Sequence, residues 1–337
     1  MNIETLPPAP RATANPAPLR PLNSVRRTSS IDVSWPEGVD KPRQFIGRVR
    51  DFKTSESGLP GEIMNEAEMT AALDDTKTIM SISADPAPAN LGQVVGQRAG
   101  GHLRMFVREI MPDLVATGAP LYLILDDLSG SALVSNISWS LWDERSMMER
   151  RDGISEEEFE RNMAGRANVC WGLAEGNSGL KHRRDVGEVA AAKAGELRNP
   201  ADPEGWHEFP ENEGPGFRRA RRIDVWRDAA SGLLRVDSAF QDSAKTQDGD
   251  RIAIHEYLLS VTADPETLEI LSLQPTPKIL PFPECPGAVA NTQRLVGSSL
   301  ADIRDDVLQL LRGPEGCTHL NDAMRALADV PVLANYL

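Results

Sequence analysis

Cysteine is scarce in this chain: three residues in 337, at positions 170, 285 and 317. An odd number without close pairing does not make a disulfide scaffold, so the thiols are expected to be reduced. Basic charge is in deficit as well. Thirty-six Lys and Arg stand against fifty Asp and Glu, a net charge of −14 and a pI near 4.9. A field of that sign repels phosphate backbones and anionic lipid, so neither nucleic acid nor a membrane surface is expected as a partner. No apolar run approaches the roughly 20 residues that a membrane span requires. The opening MNIETLPPAPRATANPAP has no basic segment followed by an apolar one, and so does not read as a secretory signal. With 40% hydrophobic and 26% charged residues, the expectation is a soluble cytoplasmic protein with a real core. Its expected partner is a small-molecule substrate, with a homodimer left open.

The familiar catalytic signatures are missing too. There is no Cys-x-x-Cys, no His-Glu-x-x-His, no Gly-x-Ser-x-Gly and no Gly-rich phosphate loop ending in Lys-Ser/Thr. Gly92, Gly96 and Gly100 recur every four residues, but not after a strand in the dinucleotide-binding manner. No nucleotide cofactor is expected.

What is present is an internal repeat. Arg26–Val33 (RRTSSIDV) aligns with Arg218–Val225 (RRARRIDV) at an offset of 192. Val49-Arg50-Asp51 aligns with Phe240-Gln241-Asp242 at 191, and Met80–Pro86 with Leu259–Pro265 at 179. Val95-Gly96 followed by Arg104 aligns with Val296-Gly297 followed by Arg304, at 201 for the glycines. Four matches in one order favour duplication. The chain then divides into a Pro-rich arm (1–25), a first repeat (26–113), an insert (114–217) and a second repeat (218–337).

Alternating patterns predict strands at Ile31–Trp35, Phe45–Val49 and Thr78–Ser83. One-sided apolar spacing predicts a helix over Leu103–Ile110 and another over Leu300–Leu311. The expected fold class is α+β: a tandem duplication of a small antiparallel sheet covered by helices, with a mixed insert. Within the insert, Leu121–Asp127 reads as a strand, and Ser155–Ala164 and Asp185–Leu197 read as helices. The arm reads as extended, either floppy or laid over a neighbouring surface.

The residues that could carry chemistry gather in the second repeat. His255, Cys285, Cys317 and His319 all fall after residue 250, in a chain with five His and three Cys. Cys285 lies in a Pro-locked turn, and Cys317 and His319 at a helix start. By the repeat register, Thr76 is the counterpart of His255. Two thiols and two imidazoles suit one divalent zinc or iron ion. The rival readings are a Cys317 nucleophile favoured by the helix dipole, and plain core residues. Asp242 and Glu256 are candidates to orient a ligand histidine or to move a proton. Arg219 and Arg221, in the cluster Arg218–Arg222, are candidates to bind a substrate carboxylate, with Tyr257 beside them; a solvated strand edge is the plainer alternative. Asp322 fits the first turn of a helix. Trp171, Trp206 and His207 fit a pocket entrance or simple packing.

These motifs carry a resemblance. From about Arg26 onward the chain resembles the long form of an uncharacterised bacterial family, marked by the Arg-rich Ile-Asp-Val strand, Phe240-x-Asp242-Ser243, His255-Glu256-Tyr257, Glu284-Cys285-Pro286 and Gly316-Cys317-Thr318-His319-Leu320. No activity comes with it. Residues 251–329 are also similar in layout to iron–sulfur cluster scaffold proteins, whose metal-binding positions fall at His255, Cys285 and Cys317/His319. Here Ile254-His255-Glu256 stands where those scaffolds have Cys-Gly-Asp, which favours a mononuclear site over a cluster. The resulting expectation is a metal-dependent lyase (elimination or retro-aldol) or hydrolase acting on a small hydrophobic organic catabolite. The alternative is a non-enzymatic metal scaffold or carrier.

Overall fold

The structure, a computed structural model, describes residues 12–57, 60–143, 155–181 and 192–337. Among the described residues nine strands form one antiparallel sheet: β1 (Ser24–Ser34), β2 (Arg43–Thr54), β3 (Glu62–Leu73), β4 (Ile79–Asp85), β5 (Ala192–Ala194), β6 (Gly216–Arg227), β7 (Leu234–Lys245), β8 (Arg251–Ala263) and β9 (Ile270–Ile279). Their order is β4-β3-β2-β1-β6-β7-β8, and β5 and β9 share the outer edge of β8. β1 and β6 pair at the centre along their whole length, from Ser24 opposite Trp226 to Ser34 opposite Gly216.

Outward from that central pair the two halves run alike. β2, β3 and β4 follow on one side, and β7, β8 and β9 on the other. The β2–β3 ladder shifts register after Asp51, and the β7–β8 ladder after Asp242. Lys77 and Leu268 both take a left-handed φ, at 69° and 61°, in the turns before β4 and β9. Gly96 donates to Ile79 O at 2.8 Å, and Gly297 to Ile270 O at 2.9 Å. Both glycines need their positive φ of 84° and 91° to make that return.

Two alignments of the sequence reading are corrected by this order. Met80–Pro86 lies on β4 and just past it, whereas Leu259–Pro265 lies at the end of β8, so the shared Ala-Asp-Pro occupies different strands. Thr76 is an exposed turn residue bonded to Asp74, not the positional partner of His255. Asn65 faces Asp51 as His255 faces Asp242.

One face of the sheet carries helices α1 (Gly101–Ile110), α2 (Pro112–Ala116), α3 (Pro120–Val134), α4 (Ile137–Trp142), α6 (Ile303–Leu310), α7 (Thr318–Arg325) and α8 (Val330–Ala334), and a further helix, α5 (Glu156–Ala164), is largely exposed. The expected strand at Leu121–Asp127 is instead part of α3. Pro120 at its first position is preorganised for a helix. Leu121–Leu125 has no polar side to show a helical period because α3 is buried from Pro120 to Ala132, and a short apolar run does not distinguish a buried helix from a buried strand. The segment 114–217 thus contributes to the core through α3. Leu121, Ile124, Leu125 and Leu128 join the core under β1–β3, while Leu123 joins the core under β6–β9. The helix expected at Ser155–Ala164 is α5, which Ser155 caps by accepting from Glu158 N. Of the helix expected at Asp185–Leu197, residues up to 191 lie outside the described residues, and Ala192–Ala194 form β5.

The opposite face is covered by the arm and by the segment before β6. Ala17 and Trp206 pack on Ala220, and Ala17 N donates to Leu197 O. Residues 12–23 are thus laid on the sheet; residues 1–11 lie outside the described residues. Cross-strand ion pairs Arg26–Asp224 and Arg218–Asp32 face this layer. No helix among the described residues is long and apolar enough to cross a membrane.

Candidate metal centre

Side chains directly opposite one another on neighbouring strands share a face. The register puts Arg219 opposite Asp242, and Asp242 opposite His255, in one row across β6, β7 and β8. His319, in the first turn of α7, descends onto that row. Its ring stacks on His255 with centroids 3.5 Å apart and planes at 18°. Asp242 Oδ2 lies 3.1 Å from His255 Nδ1 and 3.9 Å from His319 Nε2. Among the described residues, Asp242, His255 and His319 are the set of acidic, His or Cys donors whose atoms all lie within 4.8 Å of one another.

Electrostatics leave two of the three in ligand-ready form. Burial pushes the Asp242 carboxyl up, but the Arg219 charge and the bonds from His255 and Arg219 outweigh it, so the group stays ionised. Burial, reinforced by the neighbouring His255, holds His319 well below the usual imidazole range, so it is neutral. A metal ion needs both of those states. An ionised carboxylate only accepts, so His255 donates through Nδ1 to Asp242 here, and an ion held by all three residues would take that proton's place between Nδ1 and the Asp242 oxygen. One carboxylate and two imidazoles suit zinc or iron.

The four-ligand set expected from the sequence is split. His255 and Tyr257 sit two residues apart on the same face of β8, a separation of roughly 6.5 Å along a strand. His319 meets His255, while the Cys317 thiol meets the Tyr257 hydroxyl. Cys317 and Cys285 both belong to the apolar core beneath the second half. Burial pushes both thiols up, so the position of Cys317 before α7 does not make it a thiolate nucleophile.

Glu256 also leaves the centre. Strand alternation sends it to the opposite face, where it accepts from Ala14 N at 2.8 Å. Arg219 and Arg221 face the helices but are consumed by ion pairs. Arg219 holds Asp242 and reaches Asp322 at 3.0 Å, and Arg221 grips Asp127 through two bonds of 2.5 and 2.6 Å. Both arginines are almost fully buried, so neither is free to bind a substrate carboxylate. Tyr257 is equally enclosed.

These pairs belong to a larger ionic layer between sheet and helices. Arg27 holds Asp51 and lies 2.8 Å from Asp329. Arg104 and Arg325 both reach Asp126 and Asp322, and Arg304 reaches Asp329. Among the described residues six arginines meet six aspartates in this layer, and their charges balance. Asp322, expected only to complement a helix start, is one of its hubs. Asp126 and Asp127 were not singled out from the sequence. Their signal was two adjacent acids inside the most apolar run of the chain, where burial requires cationic partners. Gly130, one helical turn on, lets the layer close: a Cβ there would lie 1.9 Å from Arg219 Nη1.

Residues 217–333, from the second residue of β6 into α8, match the family described as Protein of unknown function (DUF2889). All three converging donors lie inside that stretch. No curated protein and no solved structure matches the chain.

Proposed function

We propose that the protein is a metal-dependent enzyme centred on Asp242, His255 and His319. Its reaction would be a lyase cleavage (elimination or retro-aldol) or a hydrolysis of a small hydrophobic organic acid or alcohol. The convergence of one carboxylate and two imidazoles carries this reading. A divalent zinc or iron ion, when bound, supplies Lewis acidity at a substrate oxygen. The chain's own contribution is orientation and proton handling. Arg219 fixes Asp242 by two parallel bonds, and Asp242 fixes the His255 ring through Nδ1. Nδ1 of His255, which faces Asp242, would then either hold the ion in place of its proton or carry that proton. A mononuclear site suits this set better than a cluster, because neither cysteine joins it.

A duplicated origin belongs to the same proposal. The matched strand order, register shifts and turn geometries support it, and in the first half Asn65 stands where the second has His255. The second half would hold the centre and the first would act as its scaffold.

The depth of the centre favours one other reading, a metal carrier. Asp242 is wholly buried and His255 is 5% exposed. Elemental analysis of purified protein tests the shared premise, with about one zinc or iron per chain expected and loss of it in Asp242→Asn. Absence of metal from a folded protein, even after incubation with zinc or ferrous iron, would refute both. The cobalt-substituted protein separates them: a visible spectrum that shifts on adding azide marks the open coordination position an enzyme needs.

A further inference from the structure

A cavity of about 610 Å³ opens between α1, α3, α6 and α7, within the size range of small-ligand sites. Its wall includes Lys77, Arg98, Arg104, Arg312 and Arg325, against the single carboxylate of Asp322. With Arg104 and Arg325 balanced by aspartates, three positive charges remain on the wall of a chain of net −14. Arg104 and Arg325 are tied to Asp126 and Asp322. Lys77, Arg98 and Arg312 form no ion pair among the described residues, and Arg98 and Arg312 are exposed. The remaining wall is largely apolar, with Leu103, Leu133, Leu308 and Leu311. Uncompensated cations beside leucines describe a receptor for an anion with an apolar body.

We infer that this cavity binds an organic carboxylate, its charge held by Arg98 and Arg312 and its apolar part by the leucines. The inference deepens the proposed function: the carboxylate-binding role passes from Arg219 and Arg221, which are spent in the ionic layer, to cations that are not. Thr318 lies on the wall next to His319, and Asp322 on the wall accepts from Arg219, which holds Asp242. A ligand here is therefore one residue from the candidate centre on α7.

Phenylacetate, phenylacetamide and inorganic phosphate serve as probes, with binding to the full chain followed by calorimetry or ligand-observed NMR. Phenylacetate is expected to bind, and phenylacetamide at least tenfold more weakly. The exposed pair Arg98→Glu/Arg312→Glu should weaken phenylacetate at least tenfold without changing the melting temperature. A second variant, Gly101→Leu, adds bulk to the wall where a Cβ meets no other atom within 4 Å, and should also reduce binding. Repeating the titration after chelation separates the two readings, because the wall contains none of the three metal donors. Retained binding in a protein that never holds metal leaves this assignment standing and removes the metal. No phenylacetate binding, equal binding of the amide, or unchanged affinity in the double variant would overturn the assignment. Phosphate binding alone would overturn it in favour of an inorganic-anion site.

Discussion

Arg219 grips Asp242 through Nε and Nη2, at 2.8 and 2.9 Å, and its remaining nitrogen reaches Asp322 at 3.0 Å. One guanidinium thus joins the candidate metal centre to the ionic layer and, through Asp322, to the cationic cavity. Removing it leaves buried Asp242 without its arginine, while Asp322 keeps Arg104 and Arg325, and breaking a buried pair from one side costs about 3–5 kcal/mol. Arg219→Leu is expected to lose about that much in urea or guanidinium unfolding. Arg219→Lys should recover only part, because a point charge cannot replace the two-pronged grip. A loss under about 1 kcal/mol in Arg219→Leu would show that the layer does not depend on this link.

Gly130→Ala sets two effects against each other. Helix propensity alone favours Ala over Gly by about 1 kcal/mol in a helix interior. Here the added Cβ would collide with Arg219 Nη1 at 1.9 Å and lie 3.0 Å from Asp322 Oδ2. Overpacking of that kind costs about 1–3 kcal/mol before any loss of the ion pair is added. The variant should therefore be less stable than the parent. Thermal unfolding checks the sign, and an increase in melting temperature would mean that α3 shifts away from the pair.

Acid stability should carry the mark of His207. Its Nδ1 lies 2.9 Å from the Thr28 hydroxyl and its Nε2 2.9 Å from that of Ser30. Burial, then the charges of Arg50, Arg218, Arg48 and Arg198, push its pKa down to about 3 from an ordinary 6.5. The unfolded chain takes up this proton first as pH falls, so the imidazole's contribution is complete above about 6.5 and is lost towards 3. The slope is at most about 1.4 kcal/mol per pH unit. Asp126, lowered to about 2 from an ordinary 3.8, starts to lose its contribution only as the pH nears 3.8. His207→Gln keeps hydrogen-bonding capacity without titrating, so its stability should fall less steeply than the parent's between about pH 6.5 and 4.5. Parallel slopes for the two proteins would contradict the assignment.

Much of the second half was legible in the sequence because the informative residues alternate. Arg219 and Asp242 fall on matched strands at matched offsets, and His255 and His319 are rare residues in short, unusual motifs. The split between histidines and cysteines was not legible. Whether a residue after a helix start meets position 255 or 257 of a strand depends on where α7 lands, and no local pattern reports that. The repeat register failed at Thr76 for a related reason: Ala-Asp-Pro recurs at the ends of two different strands, and β3, with its polar Glu62–Glu68 stretch, gave no alternation to count. α3 was misread because complete burial erases the helical period, leaving length and Pro120 as the only cues.

Cys317 separates the observed grouping from the one expected of the ligand types. Its thiol lies in the apolar core against Tyr257, and burial keeps it protonated. Cys317→Ser buries a stronger polar group in that place, at a cost of about 1–3 kcal/mol. Metal content should nevertheless stay that of the parent, measured by elemental analysis on the folded fraction. Loss of metal without loss of stability would return Cys317 to the ligand set and displace Asp242 from it.

The sharpest test is His255→Asn, because the first half already holds an asparagine at the matching place. Asn65 faces Asp51 across β2 and β3 as His255 faces Asp242 across β7 and β8, and both ladders shift register immediately afterwards. The local backbone therefore accommodates asparagine, and its side-chain amide can still donate to the Asp242 carboxylate. A structural histidine would be replaced at little cost to any property. A ligand or proton carrier would not, since asparagine supplies neither a strong metal donor nor a titrating nitrogen. The expected outcome is a folded protein within about 1 kcal/mol of the parent, whose metal content falls from about one per chain to near zero. Once a substrate is known, turnover should drop about 10²–10⁴-fold, the usual loss for a positioned acid–base group. Glu256→Gln, one residue on but on the opposite face, is the control and should keep its metal. If the asparagine variant keeps metal while the glutamine variant loses it, the centre lies on the arm-covered face and the Asp242–His255–His319 assignment is wrong.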